Sequence, residues 1–185
     1  MYDWSPPLVP GMRNGVRVGS RKLSMLCALL VLCTSPSLRA GDDECTFDQG
    51  YQIKQVARMA ARHPGGRMSE DLRMVSWRSA DGSVLSVAHG GCVDLGTTVR
   101  LRYPSDRRPD NRIALRRLFA AVSTYWSPAD AENMVAAFAN GAFTVRAQDG
   151  ERVELDLTRG EHSRFPLGLS LSIAPTELAV TWTEG

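Results

Sequence analysis

The sequence predicts an α+β domain: a mostly antiparallel sheet with helices on one face, in two layers, closed by one disulfide. Three observations predict it. The last quarter of the chain alternates apolar and polar residues in four successive runs, the period of strands with one buried and one wet face. Three segments open on helix-capping residues, and two of them carry clear apolar stripes. Two cysteines, Cys45 and Cys92, remain once an N-terminal targeting segment is set aside.

That segment has the layout of a secretory signal. Arg13, Arg17, Arg21 and Lys22 precede an uncharged apolar run at 23–33, and small residues follow up to Ala40. The run is far shorter than the roughly 20 residues a membrane-spanning helix needs. Cleavage is expected after Ala40, or after Ser37, because Leu38 is large for the −3 position. Residues 2–11 are atypical of a signal, which makes Met12 an alternative start. A buried helix of a cytosolic protein is the competing reading, and the charge asymmetry and the Ser-Pro-Ser exit weigh against it. A lipid anchor would need a small residue before its cysteine, whereas Leu26 precedes Cys27 and Leu32 precedes Cys33. The expected organisation is therefore an extension and cleavable signal over 1–40, then a single domain over 41–185. The expected location is periplasmic or secreted, with no stable membrane anchor after cleavage.

Export changes two counts. Cys27 and Cys33 leave with the signal, so Cys45 and Cys92 are expected to pair in an oxidising compartment. Buried free thiols are the alternative. Closing that loop would stabilise the fold by about 4 kcal/mol in the chain-entropy view. The second count is charge. Five of the 22 basic residues and one of the 20 acids precede Gly41, which leaves 17 against 19 and a net charge of −2. The overall positive charge belongs to the signal, and nothing in it argues for nucleic acid.

Within the domain, Asp48 caps a helix over 49–63 with Tyr51, Ile53, Val56 and Met59 or Ala60 expected inward. Residues 64–66, Pro-Gly-Gly, end it. Strands are expected over 71–78, 84–89 and 93–103, with a tight turn at 80–82 and a glycine turn at Gly90 and Gly91. Asp110 or Asn111 caps an amphipathic helix to Trp126, whose apolar set is Ile113, Leu115, Leu118, Phe119, Val122 and Tyr125 or Trp126. Ser127-Pro128 starts another helix that stops at Asn140-Gly141. A meander follows, with Phe143, Val145 and Ala147 inward, then Val153, Leu155 and Leu157, then Leu169, Leu171 and Ile173, then Leu178, Val180 and Trp182.

No catalytic motif stands out. His63, His89 and His162 lie at no metal-ligand spacing. No Gly-x-Ser-x-Gly elbow and no phosphate loop occurs. A nucleophilic cysteine is excluded if Cys45 and Cys92 are bonded. The sequence therefore leans away from an enzyme and asks for no cofactor.

Two features read as candidate binding surfaces. Arg100, Arg102, Arg107, Arg108, Arg112, Arg116 and Arg117 fall within 18 residues, interrupted by Asp106 and Asp110 alone among acids. Lys54 is the one lysine after the signal, so these are planar forks suited to carboxylates and phosphates. A solvated strand-and-helix face is the plain alternative. The second feature is the corner of His89, Gly90, Gly91, Cys92 and Asp94, closed by Gly96. It reads either as a bulge around a disulfide or as a loop shaped to enter a partner's cleft. Any of Trp77, Trp126, Trp182, Tyr51, Tyr103 or Tyr125 left exposed would be an interface anchor. The expected function is a non-catalytic binding protein whose partner is another envelope protein, such as an inhibitor or immunity protein against a cell-wall-acting enzyme. An envelope module carrying a lipid or small anion is the alternative, and a small hydrolase stands behind it. The sequence sets no oligomeric state.

Overall fold

The computed structural model describes residues 46–140, 143–148, 152–157 and 163–184, within one compact unit that includes Cys45–Gly185. The expected signal, Cys45 and His162 lie outside the described residues. Among the described residues are three helices and eight strands. In chain order they are α1 (Gln49–Arg62), β1 (Arg67–Met68), β2 (Met74–Arg78), β3 (Val84–Gly90), β4 (Leu95–Arg102), α2 (Asn111–Tyr125), α3 (Pro128–Ala139), β5 (Thr144–Gln148), β6 (Val153–Leu157), β7 (Leu169–Ile173) and β8 (Glu177–Glu184). The fold is α+β.

The helices start where side-chain oxygens meet otherwise unbonded N–H groups. Asp48 accepts the Tyr51 N–H at 3.1 Å. Asp110 accepts the Ile113 N–H at 3.0 Å. Ser127 Oγ accepts the Asp130 N–H at 3.2 Å, with Pro128 in the first turn, where its missing N–H costs nothing.

All eight strands form one antiparallel sheet in the order β1-β2-β3-β4-β8-β7-β6-β5. Two meanders, β1–β4 and β5–β8, join where β4 pairs with β8 along their whole length, from Leu95↔Glu184 to Arg102↔Glu177. The pairing puts Val75, Val87, Val99, Val180 and Leu171 in one row across the sheet. All five are buried, four with no exposure at all. β-branched side chains suit this pleated, packed surface, and burying each stabilises by roughly 1.5–3 kcal/mol. α1 packs on β1, β2 and β3, while α2 packs on β4, β8 and α3. The alternate residues of the same strands include the small or polar row Ser76, Ser86, Arg100, Ala179 and Ser172.

Three expected inward residues face out. Tyr51 is 51% exposed, and Gln52 occupies the buried position of α1 with Val56 and Met59. Ile113 is exposed because Ala114 and Leu115 turn the buried stripe of α2 by one residue. Val145 is exposed because β5 is the sheet edge and its register shifts between Val145 and Ala147. The strand expected over 71–78 is shorter. Asp71 takes the Ser69 hydroxyl and the Arg73 N–H, and Leu72 has a φ of 59°, so this stretch turns before β2 begins.

Candidate functional site

The β3–β4 hairpin carries the corner singled out in the sequence. Gly90 pairs with Gly96 at its base, and residues 91–94 form the tip. Two glutamines of α1 hold that tip. The Gln52 amide grips Gly91 from both sides: its Oε1 accepts the Gly91 N–H at 3.0 Å, and its Nε2 donates to the Gly91 carbonyl at 2.8 Å. Gln49 Nε2 donates to the same carbonyl at 2.7 Å, and Arg73 donates to Gln49 Oε1. The Phe47 N–H donates to the Cys92 carbonyl at 3.2 Å.

The glycines are there for closeness. A Cβ on Gly91 would lie 1.7 Å from the Asp94 carbonyl oxygen, and one on Gly90 would lie 2.9 Å from Gln52 Oε1. Gln52 itself is 1% exposed, so its polar atoms are satisfied away from water. Beyond this anchored base, Val93 is 71% exposed and Asp94 is exposed. His89 sits under the corner. It is buried, and its Nδ1 shares a hydrogen bond of 2.9 Å with Thr97 Oγ1. Burial pushes its pKa below the ordinary 6.5, so the ring is neutral at physiological pH. Its ring lies tilted against that of Trp126, at 4.8 Å between centroids.

The seven arginines differ in their partners. Arg100 and Arg102 lie on the open strand face, where both reach Glu177, at 3.2 and 3.0 Å. Arg107 and Arg117 meet Asp81 beyond the Arg102 end of β4, away from the hairpin tip, and Arg108 lies beside Tyr103 there. Arg117 reaches Asp81 at 3.0 Å, and Arg107 Nη1 donates to the Asp81 carbonyl at 3.4 Å. The Ser83 hydroxyl and N–H, then Arg117, hold the Asp81 carboxyl below its ordinary value. Tyr103 is buried between Arg108 and Arg117, and burial raises its pKa against the pull of Arg117. Desolvation lowers that of Arg108, whose Nη2 donates to Asn111. Arg112 and Arg116 are exposed on α2 with no ion pair among the described residues.

Sequence reading missed Gln49 and Gln52. The available signal was spacing: Gln52, Val56 and Met59 follow i, i+4, i+7, so a glutamine stands where the stripe calls for an apolar residue. Among the described residues, no three His, Cys, Asp or Glu side chains cluster as metal ligands, and no helix is long and apolar enough to cross a membrane. Comparisons of the chain with protein-family models, with curated proteins and with solved structures yield no match.

Proposed function

We propose that this chain is an exported, non-catalytic binding protein that docks its β3–β4 tip on another protein of the cell envelope, in the manner of an inhibitor or immunity protein against a cell-wall-acting enzyme. The reading rests on one observation: an exposed Val93–Asp94 tip on a base held by the Gln52 clasp. A tip fixed before binding loses little conformational freedom on docking, which leaves more of the contact energy as affinity. Val93 suits an apolar slot and Asp94 a cationic group beside it.

Export and the covalent bridge belong to the same reading. The signal-like layout of residues 13–40 supports a periplasmic or secreted location. The Phe47–Cys92 hydrogen bond brings the chain two residues past Cys45 against Cys92, which supports Cys45 as the bridging partner. The packing of α1 and α2 supports helices on one sheet face, hence two layers.

The test is capture from envelope extract and culture medium. The chain is expressed with its own N-terminal segment and a C-terminal tag, and bound proteins are identified by mass spectrometry. A partner held by the wild type is expected to be lost with Val93→Asp/Asp94→Lys and kept with Arg112→Glu/Arg116→Glu. A captured set that the tip variant leaves unchanged refutes docking through the hairpin.

A further inference from the structure

A groove of about 280 Å³ runs between α1 and the C-terminal end of α2. One wall is a single stripe of α1: Tyr51, Gln55, Arg58 and Arg62, spaced i, i+4, i+7, i+11. That stripe is left at the rim because Gln52, Val56 and Met59 turn the neighbouring face of the helix into the core. The facing wall is Tyr125 and Trp126, where α2 ends. His89 and Leu95, from the base of the β3–β4 hairpin, also line the groove.

The lining includes no acid. Arg58 and Arg62 are exposed, and neither has an ion pair among the described residues. Arg100, Arg102 and Arg117, by contrast, each meet a carboxylate. Two guanidinium groups with no ion pair among the described residues put positive potential on the groove. The walls themselves are flat. Tyr125 is held at 4.5 Å from both His63 and Trp77, and Trp126 at 4.8 Å from His89 and 5.8 Å from Trp182, measured between ring centroids. Tyr51 is the half-exposed aromatic of the set, and its hydroxyl accepts from Gln55 Nε2. His89 Nε2 has no hydrogen bond among the described residues, although the side chain is 4% exposed and borders the groove.

We propose that the groove binds a small aromatic carboxylate, with the carboxylate on Arg58 and Arg62 and the ring between Tyr51 and Trp126. The charge selects an anion, the aromatic residues of the lining select a flat body, and planar forks favour a carboxylate's two oxygens. The volume lies at the low end for small-molecule sites, about 300 Å³, which fits one ring system and not a lipid chain. The proposal does not depend on docking through the hairpin.

Indole-3-acetate is the probe, with tryptophol as its uncharged counterpart and inorganic phosphate as the anion without a ring. Titration calorimetry on the full chain reads affinity. The indole N–H resonance of Trp126, assigned through Trp126→Phe, reads location. Indole-3-acetate is expected to saturate with a Kd of about 1 mM or tighter. Tryptophol and phosphate should each bind at least about tenfold more weakly, and the Trp126 resonance should shift with occupancy. Arg58→Gln/Arg62→Gln should lose about tenfold or more in affinity while keeping the wild-type melting temperature, since both side chains are exposed. Three results overturn the proposal: no saturable binding, equal binding of either comparison ligand, or an affinity that the double variant leaves unchanged.

Discussion

The two ends of β4 are corners held by opposite chemistry. At the Leu95 end, neutral amides do the holding. Gln49 and Gln52 bond to the backbone of Gly91, and Gln52 is shut away from water. At the Arg102 end, charges do it: Arg107 and Arg117 reach Asp81 from side chains more than half exposed. The charged corner is the conspicuous one in the sequence, yet its pairs lie in water, where each contributes roughly 0–1 kcal/mol and salt screens it. The neutral corner shows only its glycines in the sequence and not the glutamines that hold it, yet losing a partner there strands a backbone group away from solvent. Stability at a corner follows burial of the polar contacts more than their formal charge.

The sharpest way to break that contrast is Gly91→Ala. A Cβ 1.7 Å from the Asp94 carbonyl oxygen cannot be absorbed by a side-chain rotation, so the tip backbone must move and the Gln52 clasp must open with it. The expected cost is about 3 kcal/mol or more, and a thermal melt should fall by about 10 °C for a domain of this size. A variant within a degree or two of wild type would mean the tip is slack, and the docking reading would lose its basis.

Gln52→Leu asks a narrower question. Leucine fills much of the same volume but offers nothing to the Gly91 N–H, while Gln49 still reaches the Gly91 carbonyl. One orphaned backbone donor should cost about 2 kcal/mol, read as a fall of about 6 °C. Because no charge is involved, the fall should be the same in dilute buffer and in about 1 M salt, where the Debye length is about 3 Å. A salt-dependent loss would show that the corner is electrostatic after all.

These residues also mark what was legible. Capping chemistry and period-two alternation are local signals, so Asp48, Asp110 and Ser127 begin their helices where the sequence places them. The strands fall close to the expected segments for the same reason. What a side chain does across the fold is not local. Gln52 outbids Tyr51 for the buried slot of α1 because a turn 39 residues away supplies its hydrogen-bond partners. Val145 reads as a core residue by its pattern, but membership of the sheet edge is decided by strand order, which alternation does not encode. The arginines are close in sequence, which says nothing of what each one meets. Whether each meets a carboxylate is decided far along the chain: Glu177 and Asp81 meet Arg100, Arg102 and Arg117 from 36 to 77 residues away.

The charged corner should give the smallest effect, and Asp81→Asn isolates it. The substitution leaves an amide oxygen to accept from the Ser83 N–H and hydroxyl, so the turn is kept and the charge facing Arg117 is removed. In the wild type the Asp81 carboxyl titrates below its ordinary 3.8, chiefly because Ser83 bonds to its ionised form and secondly because of Arg117. A group whose pKa is depressed by folding contributes stability that is present above the unfolded value and is lost as pH falls through the folded one. The melting curves of wild type and Asp81→Asn should therefore stand slightly apart at neutral pH in dilute buffer. They should merge in about 1 M salt, and draw together again as the pH drops below the ordinary aspartate range. A gap that survives high salt would show that this corner, like the other, is held by packed polar contacts, and the difference between the two ends of β4 would disappear.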